Sequence, residues 1–338
     1  MTQGGGSVGL DDGPGPDGGS GHDARAAAAP DAETEIGLAD PLDLRLTLGI
    51  DGRGRGDPAL RFEASGSCWR ATRTPEGAVT LLLQASPGNL RVRAWGPGSA
   101  WATAHVPGLV GLDDDPGALA PQHAVVADAA RRLRGMRIGW TGSVLEALVP
   151  AILEQKVTGA EASRTYRALI RVYGEDAPGP PGLRLQPSPG VLAALPYHAF
   201  HPLGLERRRA ELVRAVCREA ARLERLGAAA TGPDASPDGR AAAYAGLRAF
   251  PGIGPWTAAE VGARAFGDPD AVSVGDFHLP NLVSWALAGE PRGTDERMLE
   301  LLEPYRGQRG RVIRLLEASG LRAPRYGPRL APRRIEGM

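Results

Sequence analysis

The residues best suited to chemistry lie mostly in the last third of the chain. Phe250-Pro-Gly-Ile-Gly-Pro-Trp-Thr-Ala258 falls between two helical segments, and Gly252 and Gly254 can take positive φ at no side-chain cost. The chain can therefore reverse sharply there, and Pro255 suits the first turn of a following helix. Such a turn exposes backbone N–H groups at a helix N-terminus, with the helix dipole behind them, aimed at an anion such as a DNA phosphate. Taken alone, Gly-Ile-Gly-Pro also fits an ordinary helix start. Beyond that helix, Val272-Ser-Val-Gly-Asp-Phe-His-Leu279 sets Asp276 just ahead of another helix. The usual role of such an aspartate is an N-cap, worth about 1 kcal/mol. Earlier in the chain, Lys156 is the single lysine among 39 basic residues, and it sits between Gln155 and Val157.

The elements that must position these groups change character along the sequence. Residues 1–38 are dominated by Gly, Asp, Pro and Ala, with few large apolar side chains to offset ordering, and read as a disordered tail. From 39 to 120, short runs such as Leu42-Asp-Leu-Arg-Leu-Thr-Leu48 and Val79-Thr-Leu-Leu-Leu83 show strand-like character. Turn residues separate them, so this part reads as a small antiparallel β-rich domain. From 121 to 322 the period becomes helical, and 323–338 reads as a second tail. The fold class is therefore α+β, with an all-α domain following the β-rich one.

Within the helical part, Ser143-Val-Leu-Glu146 and Thr158-Gly-Ala-Glu161 both have the form of a capping box. Leu145, Leu148, Val149, Ile152 and Leu153 form one apolar stripe, with a kink expected at Pro150. Gln155, Lys156 and Val157 then occupy the corner between two helices. A long arginine-rich helix is expected over about 205–226, and further helices near 240–249, 255–266, 277–288, 295–303 and 308–319.

Composition excludes several classes. A chain of 338 residues, 42% hydrophobic and 23% charged, can bury a sizeable core. No apolar run approaches the roughly 18 residues that span a bilayer, and no secretory signal is evident, so the expected place is the cytoplasm, with no membrane partner. Cys68 and Cys217 lack the number and spacing for an iron–sulfur cluster or a zinc site, so no metal cofactor is expected. The net charge of +0 gives no broad basic surface, and any nucleic-acid contact must come from local geometry. The same charge does not decide the oligomeric state; a monomer is the expectation.

A glycine hairpin followed by a downstream Gly-Asp loop resembles the helix-hairpin-helix DNA glycosylase superfamily. Ala147-Leu-Val-Pro-Ala-Ile-Leu-Glu-Gln-Lys-Val157 is similar to the family's helix that ends in a DNA-probing loop, and Leu203-Gly-Leu-Glu-Arg-Arg-Arg-Ala210 to its later Leu-Gly-Leu helix. The likeness covers about 122–316, and the β-rich domain resembles the extra N-terminal domain of the 3-methyladenine glycosylase II branch. The resemblance implies base excision from double-stranded DNA, on a damaged base flipped out of the helix. Asp276 would stabilise oxocarbenium character at the sugar and orient or activate the attacking water. Gly252, Ile253, Gly254, Trp256 and Thr257 would form the phosphate-binding hairpin. Gln155, Lys156 and Val157 would form the wedge and probing loop. Trp256, Tyr197, His198, Phe277 and Trp140 are candidates for the base pocket, some of them readable equally as core. Arg306 and Arg309 are candidate phosphate contacts, and the hairpin carbonyls could hold a monovalent cation, as in some relatives.

Family members that also cut the strand carry a lysine in the hairpin, where this chain has Trp256. That implies a monofunctional enzyme acting on alkylated purines such as 3-methyladenine and 7-methylguanine, with deaminated bases behind them. Lys156 stands where the related enzymes carry an apolar wedge, and its aliphatic stem could fill the same gap. Two alternatives stay open: a glycosylase with lyase activity through Lys156, and a helix-hairpin-helix DNA-binding protein without chemistry.

Overall fold

The computed structural model of the protein describes residues 29–324 apart from 181, 233 and 234. Most of the two expected tails, residues 1–28 and 325–338, lies outside the described residues. The N-terminal tail ends earlier than its composition suggested: Ala32–Gly37 forms an edge strand, β1. The reason is its pairing. Residues 32–37 run antiparallel to β5 (Asn89–Trp95), and Ile36 turns its side chain into the core beneath.

The sheet has the order β1-β5-β4-β3-β2, with β2 at Leu60–Phe62, β3 at Cys68–Thr74 and β4 at Gly77–Ser86, and every neighbouring pair is antiparallel. Alternation along the strands sends Cys68, Val79, Leu81, Leu83, Leu90 and Val92 to one face. There they pack with α1 (Leu44–Leu48) and α2 (Ser99–Leu109). Trp69, Leu82 and Trp95 belong to a second cluster with Leu183 and Leu185.

The helices α3 (Ala124–Arg132), α4 (Val144–Leu153), α5 (Gly159–Tyr173), α6 (Pro189–Ala194), α7 (Tyr197–Phe200), α8 (Arg207–Arg218), α9 (Ala220–Ala228), α10 (Pro237–Arg248), α11 (Pro255–Val261), α12 (Leu279–Ala288), α13 (Asp295–Leu302) and α14 (Arg309–Ala318) complete the fold. They build two cores. One gathers side chains from α4 through Phe266, and the other joins α3 to α12, α13 and α14. The segment from Gly267 to His278 crosses between them. Among the described residues, no helix is long and apolar enough to cross a membrane.

Four local expectations needed revision. Leu42–Leu48, read as strand-like, instead carries the helix α1 at Leu44–Leu48, because the Asp43 carboxylate accepts from the N–H groups of Arg45 and Leu46 and caps its start. Ser143 is the N-cap of α4 but makes no side-chain cap bond. Glu224 accepts from the N–H groups of Val144 (2.8 Å) and Leu145 (3.0 Å) instead. Glu146 is turned to the sheet, where Arg70 (2.6 Å) and the Thr72 hydroxyl (2.5 Å) hold both its oxygens. A guanidinium and a hydroxyl together outbid one backbone N–H. The arginine-rich helix expected over 205–226 is two helices meeting at Glu219: both pack on α4, but α8 also packs on α6 while α9 turns to α10. The stretch 255–266 is α11 followed by a π-helical turn at Gly262–Phe266. Through Pro150 the helix continues as one element.

Arginines join the β-rich part to the helices. Arg53 pairs with Glu154 at 3.1 Å, Arg314 donates to the carbonyls of Leu46 and Thr47 at 3.0 Å each, and Arg264 donates to the carbonyl of Ile50 at 3.0 Å. Arg70 is 4% exposed and also approaches Asp51 at 3.4 Å. Removing one partner of such a pair strands the other charge in protein. Arg70→Met is expected to cost about 3 kcal/mol, read as a lower denaturation midpoint in urea at neutral pH; a midpoint equal to wild type would mean that Glu146 does not need its guanidinium.

Candidate active site

The hairpin is built as a turn with one strained position. Gly252 has φ 104, a conformation L side chains rarely adopt. Gly254 is extended instead (φ −93, ψ −176), so the reversal rests on Gly252 alone. Ile253 is 5% exposed and anchors the turn in the helical core, and its N–H donates to the carbonyl of Phe250 at 3.0 Å. Gly254 is the N-cap of α11 and Pro255 its first residue. Gly254 has no side chain to fold back, so no side-chain cap engages the first N–H groups of the helix, those of Trp256 and Thr257. Their direction, with the dipole of α11, favours an anion.

The carboxylate of Asp276 closes the other side of the site. Gly275 (φ 94) turns the chain, and the N–H of Asp276 donates to the carbonyl of Ser273 at 3.2 Å. One carboxylate oxygen of Asp276 accepts from the N–H groups of His278 (2.6 Å) and Leu279 (2.9 Å), which caps the start of α12. The other accepts from the indole N–H of Trp256 at 3.1 Å. The N-cap and the site carboxylate are thus the same group, fixed from two helices. Three donors leave room on a carboxylate for a further contact, since each oxygen offers two lone pairs.

Beneath this loop lies an ion pair. Glu260, one turn beyond Trp256 on the same helix, accepts from the Ser273 hydroxyl at 2.5 Å and from Arg264 at 2.6 Å. Burial pushes the Glu260 carboxyl up, but Arg264 and the Ser273 hydroxyl outweigh it and hold the group below its ordinary value of 4.5. Glu317 on α14 behaves oppositely. Desolvation by the surrounding protein, with repulsion from Glu260 and Asp276, pushes its carboxyl up to about 7.

The corner between α4 and α5 meets the hairpin directly. The side-chain amide of Gln155 donates to the carbonyl of Gly252 at 3.0 Å and to the hydroxyl of Thr257 at 2.9 Å. Lys156, next in sequence, is exposed with φ 55, the one positive-φ non-glycine residue among those described. Val157 is half-buried behind it, and the capping box of Thr158 and Glu161 starts α5 as the sequence indicated.

Comparison with known proteins places this arrangement. Residues 149–306 match the family model described as HhH-GPD superfamily base excision DNA repair protein. Over those residues, a little under half of its length, the chain is similar to the HhH-GPD superfamily. It is 30% identical over 275 residues to a probable bifunctional transcriptional activator/DNA repair enzyme AlkA of Mycobacterium tuberculosis, covering 75% of this chain and 53% of that protein. It is 28% identical over 172 residues to the DNA-3-methyladenine glycosylase 2 of Escherichia coli, covering 51% of this chain and 57% of that one. The chain spans about half the length of these curated relatives. In fold it is similar to the 3-methyladenine DNA-glycosylase from Archaeoglobus fulgidus (TM-score 0.69, 20% identity, 85% of this chain and 98% of that one). It is also similar to the 8-oxoguanine glycosylase/lyase of Clostridium acetobutylicum (TM-score 0.64, 12% identity, 84% and 95%).

In this chain the candidate residues do not all converge. Trp256, Asp276, Gln155 and Thr257 are linked by hydrogen bonds, and Phe277 and His278 follow Asp276 as an exposed pair with rings edge to face at 5.0 Å. Phe277 is 74% exposed, beside the carboxylate. Trp140 lies elsewhere: its indole covers Gly108, stands edge-on to His105 and lines a crevice with Arg70 and Thr72 in the seam with the sheet. Tyr197 bonds through its hydroxyl to His201 at 3.1 Å and lies beneath the Arg207 guanidinium, while His198 beside it is exposed. Arg306 makes an exposed pair with Glu303 at 2.6 Å, and Arg309 donates to Asp270 at 2.8 Å.

The contacts that the sequence did not disclose are Trp256 to Asp276, Glu260 to Ser273 and Arg264 to the Ile50 carbonyl. A weak signal existed for the first two, since Trp256 and Glu260 are four apart and share a helix face. Because the folded Glu260 carboxyl lies below 4.5, its stabilising effect is complete above that pH and fades as pH falls through the lower folded value. Glu260→Gln should therefore cost about 3 kcal/mol near pH 7, and its gap from wild type should narrow as pH falls below 4.5 through the folded value, followed by urea midpoints across that range. A constant gap at every pH would show that ionisation of Glu260 is not what matters.

Proposed function

We propose that this chain is a monofunctional DNA glycosylase that hydrolyses the N-glycosidic bond of alkylated purine bases in duplex DNA. The observation that carries this reading is the Asp276 carboxylate, held by the Trp256 indole at 3.1 Å on the helix whose uncapped N-terminus is the hairpin. A carboxylate that only capped α12 would not require a second donor from the hairpin helix.

In this mechanism the N–H groups of Trp256 and Thr257 take a phosphate of the damaged strand. The corner at Gln155, Lys156 and Val157 enters the duplex, and the stem of Lys156 occupies the space of the nucleotide that has turned out. Asp276 then faces the sugar. As the base departs, positive charge grows at C1′, and a fixed negative group stabilises it more than mobile water would. An alkylated purine that carries positive charge leaves readily, so little acid catalysis is demanded of the protein. Asp276 orients the water that completes the hydrolysis and can accept its proton. Phe277, exposed beside the carboxylate, offers a face for the turned-out base, and Trp256 borders the same space.

The monofunctional reading follows from the hairpin: an indole bound to Asp276 stands where a Schiff-base lysine would be needed. The names of the curated relatives support DNA repair and 3-methyladenine as substrate class. The partner is then double-stranded DNA, engaged by a monomer, and the place of work is the nucleoid.

Purified protein incubated with methylated duplex DNA should release bases and leave strand breaks that appear only after alkali. Asp276→Asn should lower single-turnover release at least about 100-fold while binding is kept. Release by the variant at the wild-type rate would remove Asp276 from the chemistry. Borohydride should trap no protein–DNA adduct; a trapped adduct lost in Lys156→Ala would make the enzyme a lyase through that amine.

A further inference from the structure

The corner that carries Lys156 is fastened on both sides of Lys156. Arg209, 5% exposed, donates to the carbonyl of Leu153 at 2.7 Å and closes the end of α4. Glu154 is paired with Arg53, itself 6% exposed, at 3.1 Å. Thr158 and Glu161 form the capping box on the far side. Between them Gln155 reaches across to the hairpin and spans its turn, with one bond to the Gly252 carbonyl before it and one to the Thr257 hydroxyl after it. Thr257 is 2% exposed, so that hydroxyl cannot move to follow a wandering amide. Lys156 itself has a left-handed backbone that a non-glycine residue adopts only at a cost, and its side chain is exposed. Such a conformation persists where the surroundings over-determine it.

We infer that Gln155 is a positioning residue: through its two bonds to the hairpin it fixes where Lys156 stands relative to the phosphate-binding amides of Trp256 and Thr257. This rests on the glycosylase reading of the same site and adds the origin of its precision. The bound phosphate and the residue entering the duplex are then held in one frame, because one side chain ties the corner to the turn. A glutamine suits the task chemically: its NH2 supplies two donors for the two acceptors, which a carboxylate of the same size cannot do. Gln155→Glu would set a carboxylate against the Gly252 carbonyl, and Gln155→Ala would leave the corner to its own strained backbone.

The test is a double-mutant cycle on the full chain with Gln155→Ala, Lys156→Ala and the pair, together with Gln155→Glu. Each protein is measured for single-turnover base release from methylated duplex and for unstacking of a 2-aminopurine placed beside a stable abasic analogue. Binding to undamaged duplex and thermal melting are measured alongside. We expect each single alanine variant to lose about tenfold in release and in 2-aminopurine signal, and the pair to lose about the same tenfold. The reason is that a displaced Lys156 contributes no more than an absent one. Gln155→Glu should match Gln155→Ala, with both losing less in binding than in release. A hundredfold loss in the pair would mean that the two residues act independently and would overturn the inference. So would wild-type behaviour of Gln155→Glu, or melting of the Gln155 variants far below wild type, which would mark the glutamine as structural alone. If wild type releases no base, the glycosylase reading fails, and the fluorescence and binding arms still decide whether Gln155 governs Lys156.

Discussion

The ion pair between Glu260 and Arg264 is the constraint on which the rest of the site depends. Glu260 holds Ser273, three residues ahead of Asp276, and Arg264 holds the carbonyl of Ile50 at the edge of the β-rich part. The hairpin helix, the loop bearing the carboxylate and the N-terminal region thus meet at two adjoining side chains. A buried pair of this kind adds little stability over an apolar replacement of equal shape, because desolvation offsets the attraction. What it supplies is arrangement: the two charges are satisfied only when three separate pieces of chain are in register.

From that point the hairpin helix serves two directions at once. Its first turn leaves N–H groups open toward solvent, while Trp256 and Glu260, on one face four residues apart, both hold the segment that ends in Asp276. Any movement of the carboxylate relative to the hairpin turn must break the indole bond, the serine bond, or both. The two helical cores are joined by the same contacts, since Asp276 caps α12 of one core while its partner Trp256 lies on α11 of the other.

What was legible in the sequence was whatever depends on neighbours in the chain. The sharp turn at Gly252, the capping box at Thr158 and the Gly-Asp segment are local patterns, and they stand in the fold as read, whereas the run Leu42–Leu48, read as strand-like, is helical. Contacts between distant segments were not legible. Ser143 and Glu146 have the spacing of a capping box, but the spacing cannot show that Arg70, 76 residues away, competes for the same carboxylate. Trp140 was grouped with the base pocket because it is aromatic, and its place over Gly108 follows from how the sheet docks, which no periodicity encodes. Positive φ at Gly252 but not at Gly254 is likewise set by tertiary packing around Ile253. Composition, too, misplaced the start of the fold, because β1 gains its order from pairing with β5 and not from its own residues.

The uncapped start of α11 has a thermodynamic side. Thr294 caps α13 and Thr158 caps α5 with their own hydroxyls, whereas the helix at the hairpin begins with Gly254 and Pro255, which offer nothing. The free protein therefore carries an unfinished helix end, and an anion seated there completes it. Binding at the hairpin and resistance to unfolding are linked quantities: whatever occupies that turn also tightens the elements behind it, in proportion to how far its concentration exceeds its dissociation constant. The fold of the free chain is held slightly short of its most stable form, and a bound anion supplies the remainder.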